Sequence, residues 1–205
     1  MKIPFELDIH HLIDDLRNFS WEASKVMLYY AREIKDLEEK KNIIKTKRNE
    51  DPVTLADLKV NELIIQRINQ KYPNYDWGIL SEENVKFSPE NRKPNSWPEW
   101  LWVLDPLDGT KDFIQGTGNY AMHLSLNYKK RPLIGVVLIP EKDELWITNG
   151  KKLWCEKSDG SQKIINISKN KKLCQMTLVS SKNHRNQSLE KLIERIDFKK
   201  VITMG

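Results

Sequence analysis

The chain has 205 residues, of which 39% are apolar and 31% charged, with seven Trp, six Tyr and five Phe. That is enough aromatic and apolar material for a buried core. It excludes a collagen or coiled-coil rod, a disulfide scaffold (two Cys, Cys155 and Cys174) and a membrane span, since the run Leu133 to Ile139 is far short of the roughly 20 residues a bilayer needs. The net charge of +5 fits an anionic partner such as nucleic acid, a membrane surface or a phosphorylated small molecule, or simply solvated helix faces and loops.

In chain order, Met1-Lys2-Ile3-Pro4-Phe5-Glu6 lacks an apolar core, so no secretory signal is expected, and a reducing, cytoplasmic setting is. Leu12, Leu16, Phe19, Ala23, Val26, Met27, Tyr30, Ile34 and Leu37 recur at spacings of three and four, which predicts a long amphipathic helix. The charged stretch Lys35 to Arg48 breaks that pattern and is expected to hold a turn and a mobile loop. Thr54-Leu55-Ala56-Asp57 has capping-box spacing and predicts a second helix, with Ala56, Val60, Leu63, Ile64 and Ile68 inward and Tyr72-Pro73-Asn74 as its end. A Pro- and Asn-containing loop follows between Phe87 and Trp100.

From residue 101 the pattern becomes strand-like. Leu101 to Leu104, Met122 to Tyr128, Leu133 to Ile139 and Glu144 to Thr148 read as strands. Short connections at 129–132 and 140–143 suggest antiparallel hairpins. Leu153 to Cys155 and Ile164 to Ile167 continue the sheet; Thr177 to Ser180, Ser188 to Ile196 and Val201 to Thr203 read as strand, helix and strand. The expected domains are residues 1–172 and 173–205.

The chemistry lies in acidic residues. Asp105-Pro106-Leu107-Asp108-Gly109-Thr110 places two carboxylates three residues apart after an apolar strand, and Glu82-Glu83 follows the short apolar step Gly78-Ile79-Leu80. Asp51 and Asp57 flank the start of the second helix. Hard divalent cations such as Mg²⁺ take several carboxylate or carbonyl oxygens. A strand-to-helix turn at Asp108-Gly109-Thr110-Lys111 offers backbone N–H groups to an anion. Together these suggest phosphoryl transfer to water. Taken singly they read as turn residues, solvated acids and a helix cap.

With Asp51-Pro52-Val53-Thr54-Leu55-Ala56-Asp57, Ser81-Glu82-Glu83, Trp102 to Ile114, and Gly135 to Pro140, the chain resembles the magnesium-dependent, lithium-sensitive phosphatases of the inositol monophosphatase superfamily. Weaker similarity extends to Ser180-Ser181-Lys182-Asn183-His184. Lys111-Asp112-Phe113-Ile114 is similar to the bacterial-type 3′(2′),5′-bisphosphate nucleotidase branch. The resemblance implies a layered α/β fold (α-β-α-β-α) with a six-stranded, mostly antiparallel sheet flanked by helices and a second sheet layer mostly missing. It implies a monomer or homodimer, two to three Mg²⁺ ions, and hydrolysis of the 3′-phosphate of adenosine 3′,5′-bisphosphate in sulfate assimilation. An inositol or other sugar phosphate is the alternative substrate; nucleic-acid binding is the weakest reading, because no zinc finger or RNP motif supports it.

Residue roles carry over by resemblance. Glu82 would bind one metal and position the water; Asp105 would bridge two metals; the Leu107 carbonyl and Asp108 would complete their shells. Gly109 and Thr110 would hold phosphate through N–H groups, with the Thr110 hydroxyl and Glu82 activating water. Asp51 would serve a third, weaker metal site. Thr54, Asp57, Glu83 and Lys111 would support these. The histidines His10, His11, His123 and His184 receive no role. The family's later Trp-Asp-x-x-Ala-Ala motif, which supplies another metal ligand, does not occur in this sequence. The expectation is therefore a C-terminally truncated member with impaired activity: a truncated gene product, a fragment of an active enzyme, or a non-catalytic remnant that binds metal or ligand.

Overall fold

A computed structural model describes residues 7–35, 44–46, 52–87, 98–181 and 187–204. The chain forms two compact units, residues 1–165 and 166–205. Among the described residues no helix is long and apolar enough to cross a membrane.

In the first unit, helix α1 spans Ile9–Glu33. It starts where the Asp8 carboxylate accepts the His10 N–H at 2.8 Å, satisfying one of the donors a helix start leaves over. The three-and-four spacing delivers Leu12, Leu16, Phe19, Ala23 and Met27 to the interior, while Val26 and Tyr30 are only partly buried; Leu37 lies outside the described residues. Helix α2 spans Leu55–Lys71 and opens with the expected capping box. Its buried positions are Ala56, Asp57, Val60, Ile64 and Ile68; Leu63 sits at the margin.

The charged stretch after α1 is not all loop. Ile44–Thr46 forms strand β1, paired antiparallel with β2, Pro52–Thr54. The rest of that stretch, and most of the Phe87–Trp100 loop, lies outside the described residues.

Seven strands, not six, build the main sheet. They are β3 (Gly78–Ser81), β4 (Trp100–Asp108), β5 (Ala121–Tyr128), β6 (Arg131–Ile139), β7 (Glu144–Thr148), β8 (Leu153–Glu156) and β9 (Gln162–Ile165), lying side by side in chain order. All neighbours are antiparallel except β3 and β4, which are parallel. The extra strand is the apolar step before Glu82. A parallel partner needs a crossover, so no hairpin turn announces it in the sequence. Helix α3 (Glu82–Phe87) begins that crossover.

Alternation along the central strands sends Trp102 and Leu104, Met122, Leu124 and Leu126, Ile134, Val136 and Leu138, and Leu145 and Ile147 to one face. That face forms a single core with α1 and α2. Arg17 on α1 ties the far end of the sheet to this layer: its guanidinium donates to both Glu156 oxygens, at 2.5 and 2.8 Å, and Trp154 Nε1 donates to the same carboxylate. At the near end Trp102 packs edge-on against Trp77, with ring centres 5.7 Å apart, and Trp77 stacks on Tyr75.

The β5–β6 connection is tighter than expected. Lys129 and Lys130 alone form it, both with positive φ (47° and 67°), a geometry that suits a two-residue hairpin even without glycine. Arg131 and Pro132 already belong to β6.

In the second unit, β10 (Thr177–Ser181), α5 (Gln187–Arg195) and β11 (Lys200–Met204) follow in order, with the two strands parallel. Lys182, Asn183 and His184 lie outside the described residues.

Candidate active site

The Asp-Pro-Leu-Asp-Gly-Thr segment was expected to begin where its strand ends. Instead β4 continues through it to Asp108. Its register against β5 shifts on the way: Asp105 faces His123, and Asp108 faces Ala121. Three steps on β4 thus match two on β5, a one-residue bulge. The consequence is geometric. In a regular strand, residues three apart point to opposite faces. The extra residue restores the phase, so Asp105 and Asp108 share the face opposite the helical core. Leu107, inside the bulge, turns inward and is 1% exposed. The Asp105 carboxylate accepts the Leu107 N–H at 3.2 Å and braces the bulge. Pro106 has no N–H to lose there.

Gly109 makes the corner after the strand. Its φ is +85°, and a Cβ at that position would stand 2.7 Å from the Asn119 carbonyl oxygen. Both facts require glycine. Helix α4, Thr110–Gln115, starts at once. The returning loop is held by Thr117, whose hydroxyl donates to Asp112 at 2.6 Å, and by Tyr120, which donates to Glu141 at 2.9 Å.

Thr110 reaches back across the chain. Its hydroxyl lies 3.3 Å from Asp57 Oδ1 and 3.2 Å from the Leu107 carbonyl oxygen, and has one proton for the two. The other Asp57 oxygen accepts from the Thr54 N–H at 2.8 Å and the Thr54 hydroxyl at 2.5 Å. The helix cap thus holds a carboxylate against the Asp-Gly-Thr turn. Burial pushes the Asp57 pKa up; hydrogen bonds from Thr54 oppose this and the nearby Glu83 charge adds to it, leaving it at about 6. Glu83 itself is 1% exposed.

Glu82 opens α3 directly after Ser81, whose register partner is Leu104. The Ser81 hydroxyl donates to Asn61 of α2, fixing the end of β3. Glu82, Asp105, His123 and Ser125 line one open cavity of about 680 Å³ on the face away from the core. His123 approaches Asp108, with Nε2 3.9 Å from Oδ2.

The sequence-derived residues therefore fall into two groups: Glu82 and Asp105 lining the cavity, with Asp108 next to the cavity-lining His123, and Thr54, Asp57, Leu107 and Thr110 in one hydrogen-bonded chain. Lys111 is exposed on α4. Asp51 lies outside the described residues. Two features were not foreseen. The Asp57–Thr110 contact links residues 53 positions apart, and His123 enters only through strand register.

The donor set fits magnesium in kind: three carboxylates and a backbone carbonyl are hard oxygen donors. Among the described residues, no three His, Cys, Asp or Glu side chains gather closely enough to cage an ion by themselves.

Comparison with known proteins gives the family. Residues 10–203 match the model of the Inositol monophosphatase family. The 3′(2′),5′-bisphosphate nucleotidase CysQ of Buchnera aphidicola is 31% identical over 159 residues, covering 78% of this chain and 57% of that protein. CysQ of Haemophilus influenzae is 31% identical over 131 residues, covering 63% and 44%. The chain thus spans about half the length of these curated relatives. Among solved structures, an IMPase of Thermotoga maritima superposes with a TM-score of 0.67 at 18% identity, covering 95% of this chain and 68% of that one. CysQ from Bacteroides thetaiotaomicron gives 0.61 at 22% identity, covering 89% and 68%. By this match along nearly its whole length, the chain belongs to the inositol monophosphatase family.

Proposed function

We propose that the chain carries the catalytic half-site of a Mg²⁺-dependent phosphomonoesterase that removes the 3′-phosphate of adenosine 3′,5′-bisphosphate. The observation that supports this chemistry is the bulge, which sets Asp105 and Asp108 on one face of β4, with Asp105 sharing a cavity with Glu82. The substrate rests on the relatives named 3′(2′),5′-bisphosphate nucleotidase.

Glu82, Asp105, Asp108 and the Leu107 carbonyl would hold two ions, with Asp51 serving a third, weaker one. Magnesium, when bound, supplies positive charge against the transferring phosphoryl group and acidifies the attacking water. The N–H groups at Gly109 and Thr110, at the start of α4, lie before the first helical hydrogen bond (Phe113 N–H to the Gly109 carbonyl) and suit a phosphate oxygen. Glu82 orients the water for in-line attack. The Thr110 hydroxyl takes the water's proton as it passes its own to Asp57. The new P–O bond forms from the water oxygen as the ester P–O bond breaks, and the leaving alkoxide is protonated from solvent.

Asp57 must be ionised to accept that proton. We expect kcat/KM to rise with pH through about 6, where Asp57 titrates. For stability the sign is opposite. Its folded pKa lies above the ordinary 3.8, so the protonated form favours folding, and this contribution declines as pH climbs from 3.8 to about 6. The experiment is initial-rate phosphate release from adenosine 3′,5′-bisphosphate with Mg²⁺, from about pH 5 to 8. In Asp57→Asn the acid limb should vanish along with most of the rate. A limb unchanged in that variant refutes the assignment of Asp57. Faster turnover of inositol 1-phosphate refutes the nucleotide substrate and leaves the phosphatase site standing.

A further inference from the structure

We infer that Asp112 is a positioning residue of the proposed reaction: acting through Thr117 and Asn119, it holds the Gly109 corner closed and so keeps the Thr110 hydroxyl against Asp57. The inference rests on the reading of Thr110 above and adds the device that holds that residue in place.

Three observations carry it. First, the segment is anchored at both ends. Asp108 pairs with Ala121 across β4 and β5, so residues 109–120 form one closed excursion from the sheet, with Thr110 as its second residue. Second, a chain of contacts crosses that excursion. The buried Asp112 carboxylate accepts the Thr117 hydroxyl at 2.6 Å. The Thr117 oxygen in turn accepts the Asn119 N–H at 3.3 Å, and the Thr117 N–H donates to the Asp112 carbonyl at 3.1 Å. Asn119 is thereby set with its carbonyl oxygen 2.7 Å from the point where a Gly109 Cβ would stand. Phe113 and Tyr120, edge to face with ring centres 4.8 Å apart, add an apolar tie beside the polar one. Third, the contact that this corner presents cannot hold itself. The Thr110 hydroxyl lies 3.3 Å from Asp57 Oδ1, beyond the usual O–H···O range, so its place depends on the backbone that carries it.

Asp112 and Thr117 touch none of the reacting atoms in the proposed mechanism. Their effect reaches the chemistry only as a distance and an angle. Without the Thr117 hydroxyl, the Asp112 carboxylate and the Asn119 N–H lose their shared partner, the loop leaves Gly109, and Thr110 turns away from Asp57. Misplacement of a reacting group by about 1 Å costs on the order of a hundredfold in rate.

The test compares Thr117→Val, which keeps the shape and removes the hydroxyl, with Thr117→Ser, which keeps the hydroxyl. Thr117→Val should lower kcat for Mg²⁺-dependent phosphate release from adenosine 3′,5′-bisphosphate by roughly ten- to a hundredfold. Thr117→Ser should recover most of it. Asp112→Ala should match Thr117→Val, and the two together should cost no more than either. In a Thr110→Ala background Thr117→Val should cost nothing further, because the group it positions is gone. Amide exchange in the metal-free full chain reads the same device without activity. The Phe113 N–H, which donates to the Gly109 carbonyl, should exchange roughly tenfold faster in Thr117→Val, while the Ile64 amide in α2 keeps its rate. Unchanged Phe113 exchange, additive losses from Asp112→Ala and Thr117→Val, or an equal loss in the Thr110→Ala background overturns the inference and leaves the site reading standing. Exchange that quickens at Phe113 and Ile64 alike shows a tie to the whole fold and overturns it too. Thr110→Ala as active as the parent, or a parent chain without Mg²⁺-dependent turnover, refutes the reading of Thr110, and the inference with it.

Discussion

Replacing Asp105 by Asn should cut Mg²⁺-dependent phosphate release by roughly two to three orders of magnitude, the scale seen when one preorganised charge-stabilising group is lost from an active site. The fold should barely notice. Asn has the same shape, and its amide oxygen can still accept the Leu107 N–H that braces the bulge. The lost charge lies on the cavity face, not in the core. Thermal unfolding should therefore stay within about 1 kcal/mol of the parent. A large loss of rate without loss of stability marks a group that acts on the reaction. Undiminished turnover would refute the assignment of Asp105. Loss of folding would instead mean that its negative charge stabilises the bulge itself.

Trp102→Ala should do the reverse. Trp102 is completely buried and lies three residues before Asp105 in the same strand, on the opposite face. Its ring closes the cluster made by Trp77, Tyr75 and Tyr72. Truncation leaves a large void and should cost about 3–5 kcal/mol, read as a lower urea midpoint. Trp102→Phe should cost much less. The indole Nε1 is buried without a hydrogen-bond partner among the described residues, so phenylalanine gives up packing volume but no polar contact. A Phe variant as damaged as the Ala variant would show that the indole nitrogen has a partner after all.

Much of this was legible in the sequence, for identifiable reasons. The hairpin strands from Ala121 to Thr148 follow alternation on one buried face, and the second helix declares its own start through Thr54 and Asp57. The acidic cluster was legible as a motif. What escaped was whatever depends on pairing between distant segments. Strand β3 is four residues long and joins by a parallel ladder, which leaves no local mark. Asp57 looked like a cap because it is one; its second contact, to Thr110, exists only once α2 meets the Asp-Gly-Thr turn. His123 sits in an apolar strand with no chemically suggestive neighbour, and only its register with Asp105 gives it meaning. The bulge did leave one clue, a proline inside a strand that is not at the edge of its sheet.

Inside the bulge, Pro106 and Leu107 can be exchanged for other residues at a cost in packing. Losing one of them would erase the bulge and leave the two acids two apart, a spacing that a regular strand also puts on one face. What such a loss would remove is the inward turn that buries Leu107 and the Leu107 N–H that the Asp105 carboxylate accepts. The extra residue thus serves less to aim the carboxylates than to aim the backbone between them.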